Sequence, residues 1–148
     1  GVPLHTTHER AAVAGGGAEG GPVTAPLADT VLGLPDGLAT GDAGWTAAGD
    51  MAAKWVIHTV GPNHAAGQRD RSQLASCYRR ALEVADELGA RSVAFPLISA
   101  GIYGWPKDDA ILAAVDTIRS AETEVDEVRL VAFDRQTYEQ IQDIAGED

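Results

Sequence analysis

The amino-acid sequence predicts a single α/β domain built on a largely parallel sheet, and three observations carry that reading. From Lys54 onward, short β-branched and aromatic runs alternate with longer amphipathic segments, in the order strand, helix, strand, helix, strand, helix. The chain has 148 residues, the size of one ordinary domain, and a domain of that size buries roughly two-thirds of its unfolded surface. A composition of 45% hydrophobic and 22% charged residues is that of a chain able to bury a core.

Taken in order, residues 1–148 read as one domain with a divergent, glycine-rich part over 1–50 and a well-defined part over 51–148. In the first part, Gly15-Gly16-Gly17 and Gly20-Gly21-Pro22 interrupt any amphipathic period. A short strand around Asp42 to Ala48, and loops or weak helix near Val23 to Leu32, are all that the pattern supports there. Lys54 to Val60 is a nearly continuous apolar run closed by Gly61-Pro62, as expected of a strand covered on both faces. Asp70 or Ser72 can cap a helix that places Leu74, Tyr78, Ala81, Leu82, Ala85 and Leu88 on one face, and Gly89 can end it. Ser92 to Ile98 is the next strand, after which Pro106 opens a helix with Ile111, Leu112, Val115 and Ile118 on one side. Glu127 to Phe133 is the last strand, and Asp134 caps a final helix carrying Tyr138, Ile141 and Ile144. Strands joined through helices in this way run parallel, with right-handed crossovers.

Charge and cysteine usage narrow the function classes. A formal net charge of −11 argues against non-specific nucleic-acid binding, which depends on clustered Lys and Arg. A small anion would need oriented backbone N–H groups instead. The single cysteine, Cys77, cannot form an internal disulfide, and Gly1 to Val13 contains no apolar signal-like stretch, so a cytoplasmic location is expected. No window approaches the roughly 20 apolar residues of a membrane span. His5 and His8 have H-x-x-H spacing, but without a predicted helix or a third ligand nearby they do not point to a metal. No cofactor is expected.

In an open parallel sheet, ligands gather beyond the carboxyl ends of the strands, where loops lead into helix N-termini with unsatisfied N–H groups. Gly61-Pro62-Asn63, the loop Ser99-Ala100-Gly101-Ile102-Tyr103-Gly104, and Phe133 fall at that edge. Two glycines and a hydroxyl residue between a buried strand and a Pro-started helix suit an oxyanion such as a diphosphate, although a plain βα turn would use the same residues. The sequence contains neither G-x-x-x-x-G-K-[ST] nor G-x-G-x-x-G, so neither triphosphate nor Rossmann dinucleotide chemistry is indicated. The cluster from Gly15 to Gly21 reads either as a second phosphate-approaching loop, with Glu19 as acid or base, or as a flexible linker. Phe133 reads either as a stacking platform for a purine or as a core ring at a strand end. His58, mid-strand, reads as a hydrogen-bonded core histidine, and Cys77 as an inert buried thiol.

Several segments together resemble one family. Lys54-Trp-Val-Ile-His-Thr-Val-Gly-Pro62, Ser76-Cys-Tyr-Arg-Arg-Ala-Leu82, Ala94-Phe-Pro-Leu-Ile-Ser-Ala-Gly-Ile-Tyr-Gly-Trp-Pro106 and Val131-Ala-Phe-Asp134 with Tyr138 look like a macrodomain, the ADP-ribose-binding module. The likeness covers roughly the last two-thirds of the chain, with its motifs in order. It implies a three-layer α/β/α sandwich with a mixed, largely parallel sheet. It further implies that Ser99, Ala100, Gly101, Ile102, Tyr103 and Gly104 hold the diphosphate and distal ribose, and that Phe133 lies against adenine. Gly15, Gly16, Gly17 and Ala18 would then be similar to the family's glycine loop beside the distal ribose.

The same resemblance implies ADP-ribose or an ADP-ribosylated protein as partner. It leaves three functions open: hydrolysis of ADP-ribosyl or O-acetyl-ADP-ribose linkages, reading without catalysis, and a ligand-free structural unit. For hydrolysis, Glu19 with His8 would be the catalytic pair. The departures bear on that choice. Ala18-Glu19 stands where hydrolytic members usually have Val-Asp, and His5-Thr6-Thr7-His8 where the family has Asn-Ala-Ala-Asn. The family's opening strands, with their adenine-contacting acid, are expected to be missing for want of residues before His5.

Overall fold

The computed structural model describes residues 2–8, 23–24, 38–47 and 53–146. Strands β1 (Leu4–His8), β2 (Val23–Thr24), β3 (Ala43–Ala47) and β4 (Trp55–Thr59) are followed by a 3₁₀ turn (His64–Ala66) and helix α1 (Arg71–Leu88). Strand β5 (Ser92–Phe95), helix α2 (Lys107–Ser120), strand β6 (Glu127–Ala132) and helix α3 (Arg135–Ala145) complete the described elements. The six strands form one sheet in the order β1-β6-β5-β2-β4-β3, and every pairing is parallel except β3 with β4. The sheet is therefore mixed and largely parallel, as expected.

Alternation along the strands decides which face is buried. Val128, Leu130 and Ala132 of β6, Val93 and Phe95 of β5, and Ile57 of β4 join one core with the apolar stripes of the helices. The helices form a row in which α1 packs on β3 and β4 and against α2, while α3 packs on β1 and β6 and against α2. Among the described residues they make one helical layer; the expectation of a second falls on residues outside those described. On α1 the buried stripe is Leu74, Cys77, Tyr78, Ala81, Leu82, Val84 and Ala85. Asp70 caps this helix by accepting from the Ser72 N–H at 2.9 Å, and Gly89 ends it in the left-handed region at φ 74°.

The structure departs from the sequence reading at four places. Val23–Thr24 is not helix or loop but a strand between β4 and β5; hydrogen bonds from both neighbours can order so short a segment without any periodic signal. The rest of Val23 to Leu32 lies outside the described residues, as do Gly15 to Glu19. Strand β5 stops at Phe95 rather than Ile98, because Pro96 has no N–H to give to the ladder. Pro106 is the cap residue and not the first helical residue. Leu4–His8 is a strand where the sequence pattern predicts none, pairing along β6 from Leu4 opposite Val128 to His8 opposite Ala132; it contains His5-Thr6-Thr7-His8 and so does not bear on the expectation about strands before His5.

Candidate functional site

Because β1, β6, β5, β2 and β4 run parallel, their carboxyl ends share one edge of the sheet. The loops after β4 and β5 meet there, with Phe133 one residue beyond the end of β6. The backbone of His8 ends β1 at the same edge.

The loop after β5 is held chiefly through its ends. The Ser99 hydroxyl donates to the Pro62 carbonyl at 2.7 Å, which ties it to the loop after β4. The Ala65 N–H donates to the Tyr103 carbonyl at 2.9 Å, a second tie between the same two loops. Within the loop, the Ala100, Gly104 and Trp105 N–H groups donate to the Leu97, Gly101 and Ser99 carbonyls. The N–H groups of Ser99, Gly101, Ile102 and Tyr103 find no acceptor among the described residues. Four free amides in five consecutive residues are what a bound oxyanion can use.

Ser99 sits at φ 67°, the sole non-glycine in the left-handed region among the described residues. A β-carbon costs about 1–2 kcal/mol there, and the hydrogen bond to Pro62 offsets part of that cost. Gly61 makes the bond sterically feasible: a Cβ on Gly61 would lie 2.4 Å from Ser99 Oγ and 2.7 Å from Ile98 Cγ2. Gly101 contrasts with it, since a Cβ there meets nothing within 4 Å and the backbone is outside the left-handed region. Any side chain added at Gly101 would enter open space beside the free amides.

Two side-chain networks brace the loop from below. Tyr78, fully buried on α1, accepts the Ile98 N–H at 2.9 Å and donates to the Pro96 carbonyl at 3.3 Å. Its ring packs on Phe95, with centroids 5.1 Å apart, and burial pushes the phenol well above its ordinary range. Trp105, also buried, donates through Nε1 to Asp109 Oδ2 at 2.9 Å and meets His64 edge-on at 5.2 Å. Asp109 in turn pairs with Arg71 at 3.0 Å, joining the start of α2 to the start of α1. The Trp105 indole, and after it Arg71, hold the Asp109 carboxyl below the usual carboxylate range against the opposing effect of burial.

The outer rim is apolar and open. Phe133 is 61% exposed and Ile102 96% exposed, so the ring of Phe133 is available at the surface and is not a core ring. His58 is buried with Nε2 2.7 Å from Thr46 Oγ1, and desolvation lowers its pKa, which fits a neutral core histidine. Burial pushes the Cys77 thiol up, in keeping with an unreactive sulfur. Glu19 and Gly15, Gly16, Gly17 and Ala18 lie outside the described residues. Of His8 only the backbone is described. The sequence reading missed Tyr78, assigned to the core stripe; the available signal was that a buried tyrosine hydroxyl needs a partner. Among the described residues no cluster of three or more His, Cys, Asp or Glu could hold a metal ion, and no helix is long and apolar enough to cross a membrane.

Comparison with known proteins gives a consistent picture. A model of the Macro domain family matches residues 20–114, a span that contains the loop after β5 but neither His8, Glu19 nor Phe133. A macro domain-containing protein of Streptomyces coelicolor is 56% identical over 106 residues, 72% of this chain and 63% of its own length. O-acetyl-ADP-ribose deacetylase 1 of Pantoea vagans is 38% identical over 124 residues, covering 81% of this chain and 72% of its own. The chain spans about six-tenths of the length of the Streptomyces relatives it matches. Among solved structures, an Oceanobacillus iheyensis macrodomain mutant with ADPR superposes with a TM-score of 0.67 at 34% identity, covering 72% of this chain and 59% of that one. A Trypanosoma brucei macrodomain in complex with ADP gives 0.78 at 20% identity over 97% and 69% of the two chains, a likeness of fold.

Two outcomes test this geometry. Gly61→Ala forces Ser99 or Ile98 to move and is expected to destabilise the fold by about 1–3 kcal/mol, whereas Gly101→Val should stay within about 0.5 kcal/mol of the parent; urea unfolding of the two variants measures both, and equal stabilities would contradict the assigned contacts. Since the carboxyl pKa of Asp109 is lowered on folding, its contribution is complete above the ordinary carboxylate value and is lost as pH falls through the lowered one. Asp109→Asn should therefore flatten the acid-side decline of thermal stability, and parallel melting-temperature profiles for variant and parent would reject the assignment.

Proposed function

This chain belongs to the macro domain family, and from that premise we propose that it binds ADP-ribose, free or attached to protein, at the edge where the loops after β4 and β5 meet. The observation that carries the reading is the set of four free amides at Ser99, Gly101, Ile102 and Tyr103. In a molecule of net charge −11 the overall field repels a diphosphate, so attraction must come from N–H dipoles at short range. The loop supplies donors that need no reorganisation, because Ser99 and Tyr103 are already tied to the neighbouring loop. Exposed Phe133, on the same edge, offers a flat apolar surface for adenine. Gly15, Gly16, Gly17 and Ala18 would approach the distal ribose.

On this reading the finer activity is hydrolysis of an ADP-ribosyl or O-acetyl-ADP-ribose linkage. The diphosphate would be fixed by the loop while water attacks at the distal ribose, so positioning supplies much of the rate. Glu19 and His8 are the groups proposed to assist as general base. The deacetylase name of the Pantoea vagans relative favours this activity. A reader without catalysis is the second reading, favoured by His5-Thr6-Thr7-His8 and Ala18-Glu19 in place of the residues usual in hydrolytic members. We place the protein in the cytoplasm and treat residues 1–148 as one domain, on the single buried cysteine and the continuous six-stranded sheet.

Calorimetric titration with ADP-ribose tests the binding claim; saturable heat is expected, and none at millimolar ligand rejects it. Gly101→Val should abolish that heat, and Phe133→Ala should weaken binding by about 0.5–1.5 kcal/mol if the ring stacks on adenine. Unchanged affinity in both variants would put the ligand elsewhere. Incubation with a mono-ADP-ribosylated protein separates the activities, because release no faster than the uncatalysed rate leaves a reader.

A further inference from the structure

The chain leaves β5 through three residues that no strand pairs. Pro96 has no N–H, and the Pro96 carbonyl and Ile98 N–H, next to the left-handed Ser99, are left without backbone partners among the described residues. Both are satisfied by one atom. The Tyr78 hydroxyl accepts from the Ile98 N–H at 2.9 Å and donates to the Pro96 carbonyl at 3.3 Å. A phenol suits this task because it is donor and acceptor at once, and burial keeps its proton in place over the physiological pH range.

We propose that Tyr78 is a positioning residue for the proposed diphosphate loop, its hydroxyl fixing the path of the chain from Phe95 to Ser99 and hence the direction of the free amides at Ser99, Gly101, Ile102 and Tyr103. This rests on the ADP-ribose reading given above. Tyr78 touches no ligand in this account; it acts through Ile98, which adjoins Ser99 in the chain. Its own position is fixed by α1, where it lies among buried residues, and by the Phe95 ring, tilted 60° to its own. Rotation of the Ile98 peptide would shift Ser99, break the Oγ bond to Pro62 and turn the next amides away from a common target. The hydroxyl thus links the helical layer to the rim of the site, 20 residues apart in sequence.

Tyr78→Phe keeps the ring and removes only the oxygen, leaving the Ile98 N–H buried without an acceptor. The full chain and this variant are titrated with ADP-ribose and, by NMR shift perturbation, with adenosine, which has no diphosphate. The expected result is ADP-ribose affinity about tenfold weaker, with adenosine affinity changed less than twofold. Equal weakening of both ligands would show a general loss of packing and overturn the proposal, as would unchanged affinity for both. Hydrogen exchange at Ile98 in the unsubstituted chain is a second test that holds even if the variant fails to fold. Slow exchange is expected, and exchange as fast as at exposed Gly101 would overturn the assignment. If the unsubstituted chain binds no ADP-ribose, both this proposal and its parent fall; if it binds and Tyr78→Phe binds equally well, this one alone does.

Discussion

An amide kept for a ligand is an amide the protein cannot use to hold its own loop in place. On the ADP-ribose reading proposed above, that constraint shapes the carboxyl edge of the sheet. Ser99, Gly101, Ile102 and Tyr103 withhold their N–H groups from internal bonding, so order has to come from other atoms. It comes from carbonyls and side chains: Ser99 Oγ on the Pro62 carbonyl, the Tyr103 carbonyl on the Ala65 N–H, the Tyr78 hydroxyl beneath Ile98, and Trp105 locked by Asp109. Two of these ties reach the loop after β4, one reaches α1 and one the start of α2, and together they surround the loop on its protein side while leaving its outer side open.

The electrostatic pattern follows the same division. Arg91 pairs with Asp126 just before β5 and β6, at the opposite edge of the sheet, and other cations also have carboxylate partners, as in Arg80 with Asp42 and Glu83 and Arg135 with Glu139. Exposed pairs of this kind contribute little to stability. What attraction a small anion meets at the edge comes from dipoles whose reach is a few ångströms, which favours a ligand that fits over one that is merely charged.

Much of this was legible in the sequence, and the exceptions have physical causes. Helix α1 was evident from Asp70, the apolar stripe and Gly89 because caps and periodicity are local signals. The strand from Trp55 to Thr59 and that from Glu127 to Ala132 were evident because β-branched runs bounded by turn residues admit few other readings. Val23–Thr24 was missed because a two-residue strand takes its identity from its neighbours in space. The glycine loop after β5 is visible in the sequence, but its spacing alone leaves phosphate site and plain turn undecided; the unpaired amides, which no residue letter records, are the observation that supports the phosphate reading proposed above. Phe133 was ambiguous for a similar reason, since exposure at the end of a strand depends on what covers it and not on the strand's own alternation. Tyr78 carried two roles in one letter: its ring obeys the helical stripe, and its oxygen answers to the segment that leaves β5, 20 residues away.

The contact between Gly61 and Ser99 bears on protein engineering. A peptide copied from residues 97–105 into another scaffold would carry the left-handed serine but not the carbonyl that receives its hydroxyl, nor the bare α-carbon that lets the two chains approach. The proposed recognition element is therefore a pair of chain segments from different parts of the sequence, and transplanting one without the other would keep the turn's own hydrogen bonds but lose the contacts that fix Ser99.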